Sequence, residues 1–110
     1  MARRRADLLQ GTVDLLILKV LLREPLHGWA VSKRIRQISD GVLEVNQGSL
    51  YPALHRLRDR GVIRSSWEIS EDGRNVKVYD LTDVGREVLA EEEKGWRRFS
   101  DAVEQVLDKA

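Results

Sequence analysis

Between positions 46 and 56 the chain gathers Asn46, Gln47, Ser49, Tyr51, His55 and Arg56 around Gly48 and Pro52. Amides and hydroxyls both donate and accept hydrogen bonds, and an arginine adds a fixed cation. Such a set suits recognition of phosphates and base edges rather than bond-making. A second polar set, Arg74, Asn75 and Lys77, follows an Asp72-Gly73 pair. Groups for covalent catalysis are missing. There is no cysteine, and the two histidines, His27 and His55, stand far apart in the chain. A nucleophile needs a base and an orienting acid beside it, and no Ser/His/Asp arrangement offers that. Glu91-Glu92-Glu93 is a charge run on a helix rather than a metal-ligand spacing. No phosphate-cradling glycine loop is present, so no cofactor is expected. These absences argue against an enzyme.

The balance of charge agrees with a recognition role. The 110 residues suit one domain, and the formal net charge is only +1. The halves differ: residues 1–66 hold 12 Lys/Arg and 6 Asp/Glu, whereas residues 67–110 hold 7 and 12. A basic front half can meet phosphate; the acidic tail cannot. Arg3, Arg4 and Arg5 are either a solvated run or an arm that trails along nucleic acid. The richest apolar run, Leu15 to Leu22, is broken by Lys19, so no membrane span is expected. No signal-peptide pattern is seen, and a cytoplasmic location is the default.

The elements that must position these groups read as helix, helix, helix, hairpin, long helix. Thr12 is the expected N-cap of a first helix whose Val13, Leu16, Ile17, Val20 and Leu21 form a core face. Glu24-Pro25 should end it. A second helix is expected from Gly28 to Ser39, with Trp29, Val31, Ile35 and Ile38 as its apolar members and Asp40-Gly41 as its stop. The third carries Leu50, Ala53, Leu54 and Leu57 on one face and ends at Gly61. Its cap is either Ser49, with Pro52 in the first turn, or Asn46, with Pro52 deeper. Tyr51, about 100° around from Leu50, falls at the edge of that face. Two alternating runs from Ile63 to Ile69 and Val76 to Leu81 flank the Asp72-Gly73 turn signal. Trp29 and Trp67 are assigned to the core. Thr82 caps the last helix, expected to run to Leu107. On it Trp96, Phe99, Val103 and Val106 recur at spacings of three, four and three. That is a helix–helix seam which a lone terminal helix cannot cover within its own chain, so a partner subunit is expected.

This order predicts a mainly α fold with a small β-hairpin: a winged helix-turn-helix over residues 1–81, followed by a long C-terminal helix over 82–110. In such a fold the third helix enters the major groove and the hairpin lies beside the backbone. At this level the chain resembles the PadR-like transcriptional regulators. The resemblance rests on Gly11 with Leu15, Ile17 and Leu18, and on His27-Gly28-Trp29. It continues through the run Gly48-Ser49-Leu50-Tyr51-Pro52-Ala53-Leu54 with Arg56-Leu57, and through Gly61-Val62-Ile63 with Trp67. It ends with Lys77-Val78-Tyr79-Asp80-Leu81-Thr82, Gly85 and Trp96. It covers almost the whole chain and is similar to the subgroup with a single short C-terminal helix.

The resemblance implies a homodimeric DNA-binding repressor whose last helix builds much of the dimer. In part of the family, it further implies, a small aromatic or planar effector relieves repression. The residues expected at duplex DNA are Asn46, Gln47, Ser49, Tyr51, His55, Arg56, Arg74, Asn75 and Lys77. Each also has an ordinary structural explanation; Arg56, for example, could simply pair with Asp59 or Asp40. Trp96, Phe99, Val103 and Val106 are expected at the dimer interface, with Asp101 nearby. There Trp96 is either a buried anchor or half of an aromatic sandwich for the effector. A two-fold dimer predicts a pseudo-palindromic operator. The competing reading is a winged-helix protein-interaction module, which steep salt dependence of DNA binding would exclude.

Overall fold

The fold comes from a computed structural model that describes residues 2–110, with side chains described from Gly11 onward. Helix α1 spans Ala2–Arg23, strand β1 Leu26–His27, α2 Gly28–Ile38 and α3 Gln47–Asp59. Strands β2 (Ile63–Ile69) and β3 (Asn75–Leu81) lead into α4 (Asp83–Lys109). The strands form one antiparallel sheet in the order β1-β3-β2. The side chains of Arg3, Arg4 and Arg5, the suggested DNA arm, lie outside the described residues.

The first expectation to fail is the cap at Thr12, which lies inside α1. A helix-interior glycine such as Gly11 costs only about 1 kcal/mol, too little to stop a helix that packs well further on. That packing is firm: Ile17, Leu18 and Leu21 are fully buried and α1 touches α2, α3, β3 and α4. The end at Arg23, before Glu24-Pro25, is as expected. The two-residue β1 was not foreseen, because two residues show no alternation. It pairs Leu26 with Tyr79 and His27 with Val78.

Helices α2 and α3 end in the same way. At the end of α2, Asp40 (φ 52°) and Gly41 (φ 80°) turn left-handed, and the Gly41 N–H donates to Arg36 O at 2.8 Å. At the end of α3, Gly61 (φ 76°) donates to Arg58 O and Val62 to Leu57 O. These are Schellman caps, and the second brings buried Leu57 and Val62 together. Ser39 secures the intervening turn, donating from Oγ to Ile35 O and accepting from the Leu43 N–H. The alternatives at the start of α3 resolve to Asn46, whose Oδ1 accepts from the Ser49 N–H at 2.9 Å. Ser49 is therefore a first-turn residue, and Pro52 sits in the second turn.

The buried core joins Ile17, Leu18, Leu21, Val31, Ile35, Leu50, Leu54, Leu57, Ile63 and Leu81 across α1, α2, α3 and the sheet. Trp29 and Trp67 are not in it, contrary to expectation; they are 54% and 68% exposed. Trp29 lies about 160° around α2 from Val31, so the helix that buries Val31 must turn Trp29 outward. Ile38 is exposed too. Trp67 shares a sheet face with buried Ile63, but lies further along a hairpin that overhangs the core.

Among the described residues, helix α4 is anchored at its base. Thr82 Oγ1 accepts from the Gly85 N–H at 3.0 Å and donates to Gly61 O at 2.7 Å. Gly85 lies so close to the backbone just before β2 that a Cβ there would stand 2.0 Å from Val62 O. Leu89 is the last residue of α4 to enter the core, and Lys19 pairs with Glu93 at 2.8 Å. Beyond that point α4 has no buried residue.

Candidate nucleic-acid interface

The N-terminal half of α3 presents its polar residues outward because Leu50, Ala53, Leu54 and Leu57 take the inward face. Asn46, Gln47, Ser49, Tyr51 and His55 are all exposed. The Asn46 side-chain oxygen is occupied by its cap, which leaves its amide NH2 to donate. In the first turn the backbone N–H groups of Gln47 and Gly48 have no helical acceptor, so they too face outward as donors. Pro52 contributes no N–H, so it withdraws the usual partner of the Gly48 carbonyl.

Tyr51 is seated against the start of α2. A Cβ on Gly28 would stand 2.9 Å from both Cε1 and Oη of Tyr51. Gly28 therefore has to lack a side chain for this ring to lie where it does. Deeper in the same region Tyr79 is buried, and its phenol is pushed above the ordinary 10.0, first by burial and then by Tyr51.

Arg56 has a different partner from those expected. Its Nη2 meets Asp14 Oδ1 at 2.9 Å, so it clamps α3 to α1; Asp59 instead lies beside Arg58 at 3.7 Å. A pairing 42 residues apart in sequence leaves no local trace.

The wing tip closes on itself. The Ser70 N–H donates to Arg74 O at 2.8 Å and the Gly73 N–H to Ser70 O at 2.9 Å, with Gly73 at φ 83°. This is a tight turn with its glycine in the left-handed position. Asp72 accepts from the Ser70 hydroxyl and from Arg74 Nε, at 3.0 Å in the second case. Those two bonds, the hydroxyl first, hold the Asp72 carboxyl below its usual range. Arg74 and Asn75 are exposed, and the Lys77 ammonium lies 5.6 Å over the Trp67 ring.

Structure thus brings part of the first polar set and all of the second to one open cleft of roughly 890 Å³. Tyr51 and His55 line one wall, and Arg74, Asn75 and Lys77 the other; Asn46, Gln47, Ser49 and Arg56 stand outside it. Trp29, Trp67 and His27 also line the cleft, with His27 stacked on Trp29 at 5.8 Å. The helical angle of Trp29 was the one signal that placed it away from the core.

Trp96, Phe99, Val103 and Val106 form the expected stripe on α4, between 40% and 64% exposed. Among the described residues, no group of His, Asp or Glu could hold a metal ion. No described helix is long and apolar enough to cross a membrane.

Three helices followed by a wing, with the third helix presenting its polar start, define a winged helix-turn-helix protein. The PadR-like transcriptional regulator family model matches residues 17–91, and the chain belongs to that family. It is 34% identical over 95 residues to a transcriptional regulator of Mycobacterium tuberculosis, covering 86% of this chain and 84% of that one. It is 30% identical to a longer transcriptional regulator of Escherichia coli, covering 81% of this chain and 41% of the other. A PadR family regulator from Eggerthella lenta superposes with a TM-score of 0.80 at 31% identity, over 99% of this chain and 93% of that one. The family is one of transcriptional regulators, not enzymes.

Proposed function

We propose that this regulator is a homodimeric repressor that binds duplex DNA with the start of α3 and with the wing. The observation that carries the proposal is the capped, outward-facing start of α3. It offers free backbone N–H groups, hydroxyls and amides beside a wing bearing Arg74 and Lys77. Asn46, Gln47, Ser49, Tyr51 and His55 meet phosphates and base edges, and Arg74, Asn75 and Lys77 meet the neighbouring backbone. Arg56 contributes through the guanidinium N–H groups that Asp14 leaves open.

The apolar stripe on α4 supports a second copy as the partner, since none of the described residues covers it. Trp96 then faces Trp96 of the partner subunit, and a flat effector between them relieves repression. The operator is a pseudo-palindrome with half-sites about one helical turn apart.

The test is a mobility shift with DNA from upstream of the protein's own gene, in unrelated competitor, at two salt concentrations. A shift that survives competitor, has dimer stoichiometry and weakens steeply with salt is expected. Equal loss to competitor would reduce the interface to a basic surface, and no shift at either salt would sink the DNA reading.

A further inference from the structure

We propose that Asp14 on α1 is a positioning residue for DNA recognition: its carboxylate fixes the Arg56 guanidinium so that the remaining N–H groups are aimed at one phosphate. The inference rests on the DNA reading above, and it adds a residue that lies outside both α3 and the wing.

The place of Asp14 in α1 comes first. Asp14, Leu18 and Leu21 recur at spacings of four and three, so they share the stripe that α1 turns to the core. Leu18 and Leu21 are fully buried, and the Asp14 side chain is only 18% exposed. A carboxylate so placed loses water and needs a partner. An apolar residue would extend the stripe without that cost, so the stability of the fold does not ask for an acid there. The partner is Arg56, whose Nη2 donates to Asp14 Oδ1 at 2.9 Å across 42 positions of sequence.

Arg56 is placed to use what the pair leaves open. On α3, Ser49, Pro52 and Arg56 recur at spacings of three and four, one stripe that runs from the exposed start of the helix toward α1. Tyr51 and His55 lie on another, which lines the cleft. A guanidinium carries five N–H groups in a rigid plane, and the Arg56 side chain remains 40% exposed. Held at one corner by Asp14, the fork has its orientation set before DNA arrives. A loose arginine would reach any phosphate nearby. A held one meets only a backbone in register with α3, so the contact depends on how the recognition helix is seated.

The sign of one substitution separates positioning from a simpler role. Asp14→Asn keeps the side-chain shape and removes a negative charge. If the carboxylate only screened Arg56, the variant would bind every duplex more tightly. Positioning predicts the opposite for the operator.

The test is a mobility shift with the full chain across a salt series. It uses the fragment upstream of the protein's own gene and an unrelated duplex of equal length. Asp14→Asn should weaken the upstream complex about tenfold and leave the unrelated one as tight or tighter. Arg56→Gln should weaken the upstream complex likewise and lower its salt slope by about one. Adding Asp14→Asn to Arg56→Gln should cost nothing more, because both act through one contact. An upstream complex that Asp14→Asn tightens or leaves unchanged would overturn the proposal. So would a loss that persists undiminished in the Arg56→Gln background. Circular dichroism checks the fold. Should Asp14→Asn fail to fold, Arg56→Lys decides, since it keeps a cation but not the fork. Upstream binding should then fall about tenfold with the unrelated duplex unaffected, and full upstream binding would overturn the proposal. A parent chain that binds neither duplex, or both equally, sinks the DNA reading before any variant is compared, and this inference with it.

Discussion

Tyr51 shows how much one residue depends on another that does nothing but stay small. Its ring lies where a side chain at Gly28 would have to be, so the His27-Gly28-Trp29 segment shapes the surface that α3 presents. Replacing Tyr51 with Ala should weaken operator binding by about 1–3 kcal/mol without unfolding the chain, because the ring is partly exposed. Arg74→Ala should weaken binding to all sequences alike and lower the salt slope by about one unit. Mobility shifts across a salt series check both, and full binding by either variant removes that residue from the interface. Tyr79 belongs to a different problem, the stability of the core. Its folded phenol stays neutral above the pH at which an unfolded tyrosine ionises. Its contribution is therefore complete below 10.0 and is lost as pH rises through the folded-state value. Denaturant midpoints between about pH 9 and about pH 11 should fall, and less so in Tyr79→Phe.

At the scale of elements, the caps decide where the interface begins. The Asn46 oxygen fixes the first turn of α3, so Asn46→Ala should cost about 1 kcal/mol in urea unfolding. An unchanged midpoint would mean that water replaces the cap without loss. The junction of wing and α4 is tighter. A methyl at Gly85 would collide with the Val62 carbonyl, and that oxygen also accepts from the Thr82 N–H at 3.1 Å. Moving the carbonyl aside breaks that bond, so Gly85→Ala should destabilise by about 1–3 kcal/mol. A Gly85→Ala protein as stable as the parent would show that the junction can relax. Element types and the turns at 40–41, 61 and 72–73 were legible because caps, prolines and glycines act locally. The start of α1 was not, because core packing downstream of Gly11 outweighs a local N-cap preference at Thr12.

For the whole molecule, the question is what covers α4. The helix enters the core only as far as Leu89 and then carries Trp96, Phe99, Val103 and Val106 into the open. Trp96→Ala should cost about 2 kcal/mol of association, read as a shift toward monomer in sedimentation. An unchanged sedimentation profile together with unchanged ligand binding would refute the dimer reading of this stripe. The cleft is likewise a property of the assembled chain, since its walls come from α2, α3 and the wing.

Periodicity, caps and turn residues were enough to read the order of the helices and the hairpin, the inward face of α3, the wing and the apolar stripe on α4. Each of these depends on residues a few positions apart. The PadR-like run from Gly48 to Leu54 added the family. Only tertiary structure decided that Arg56 clamps Asp14 and that Gly28 makes room for Tyr51. The same holds for Trp29 and Trp67, which face a cleft instead of filling the core. These contacts join residues distant in sequence, or depend on where an element overhangs its neighbours. Neither leaves a local pattern, because residue type measures the gain from burial but not whether the fold has a place for the ring.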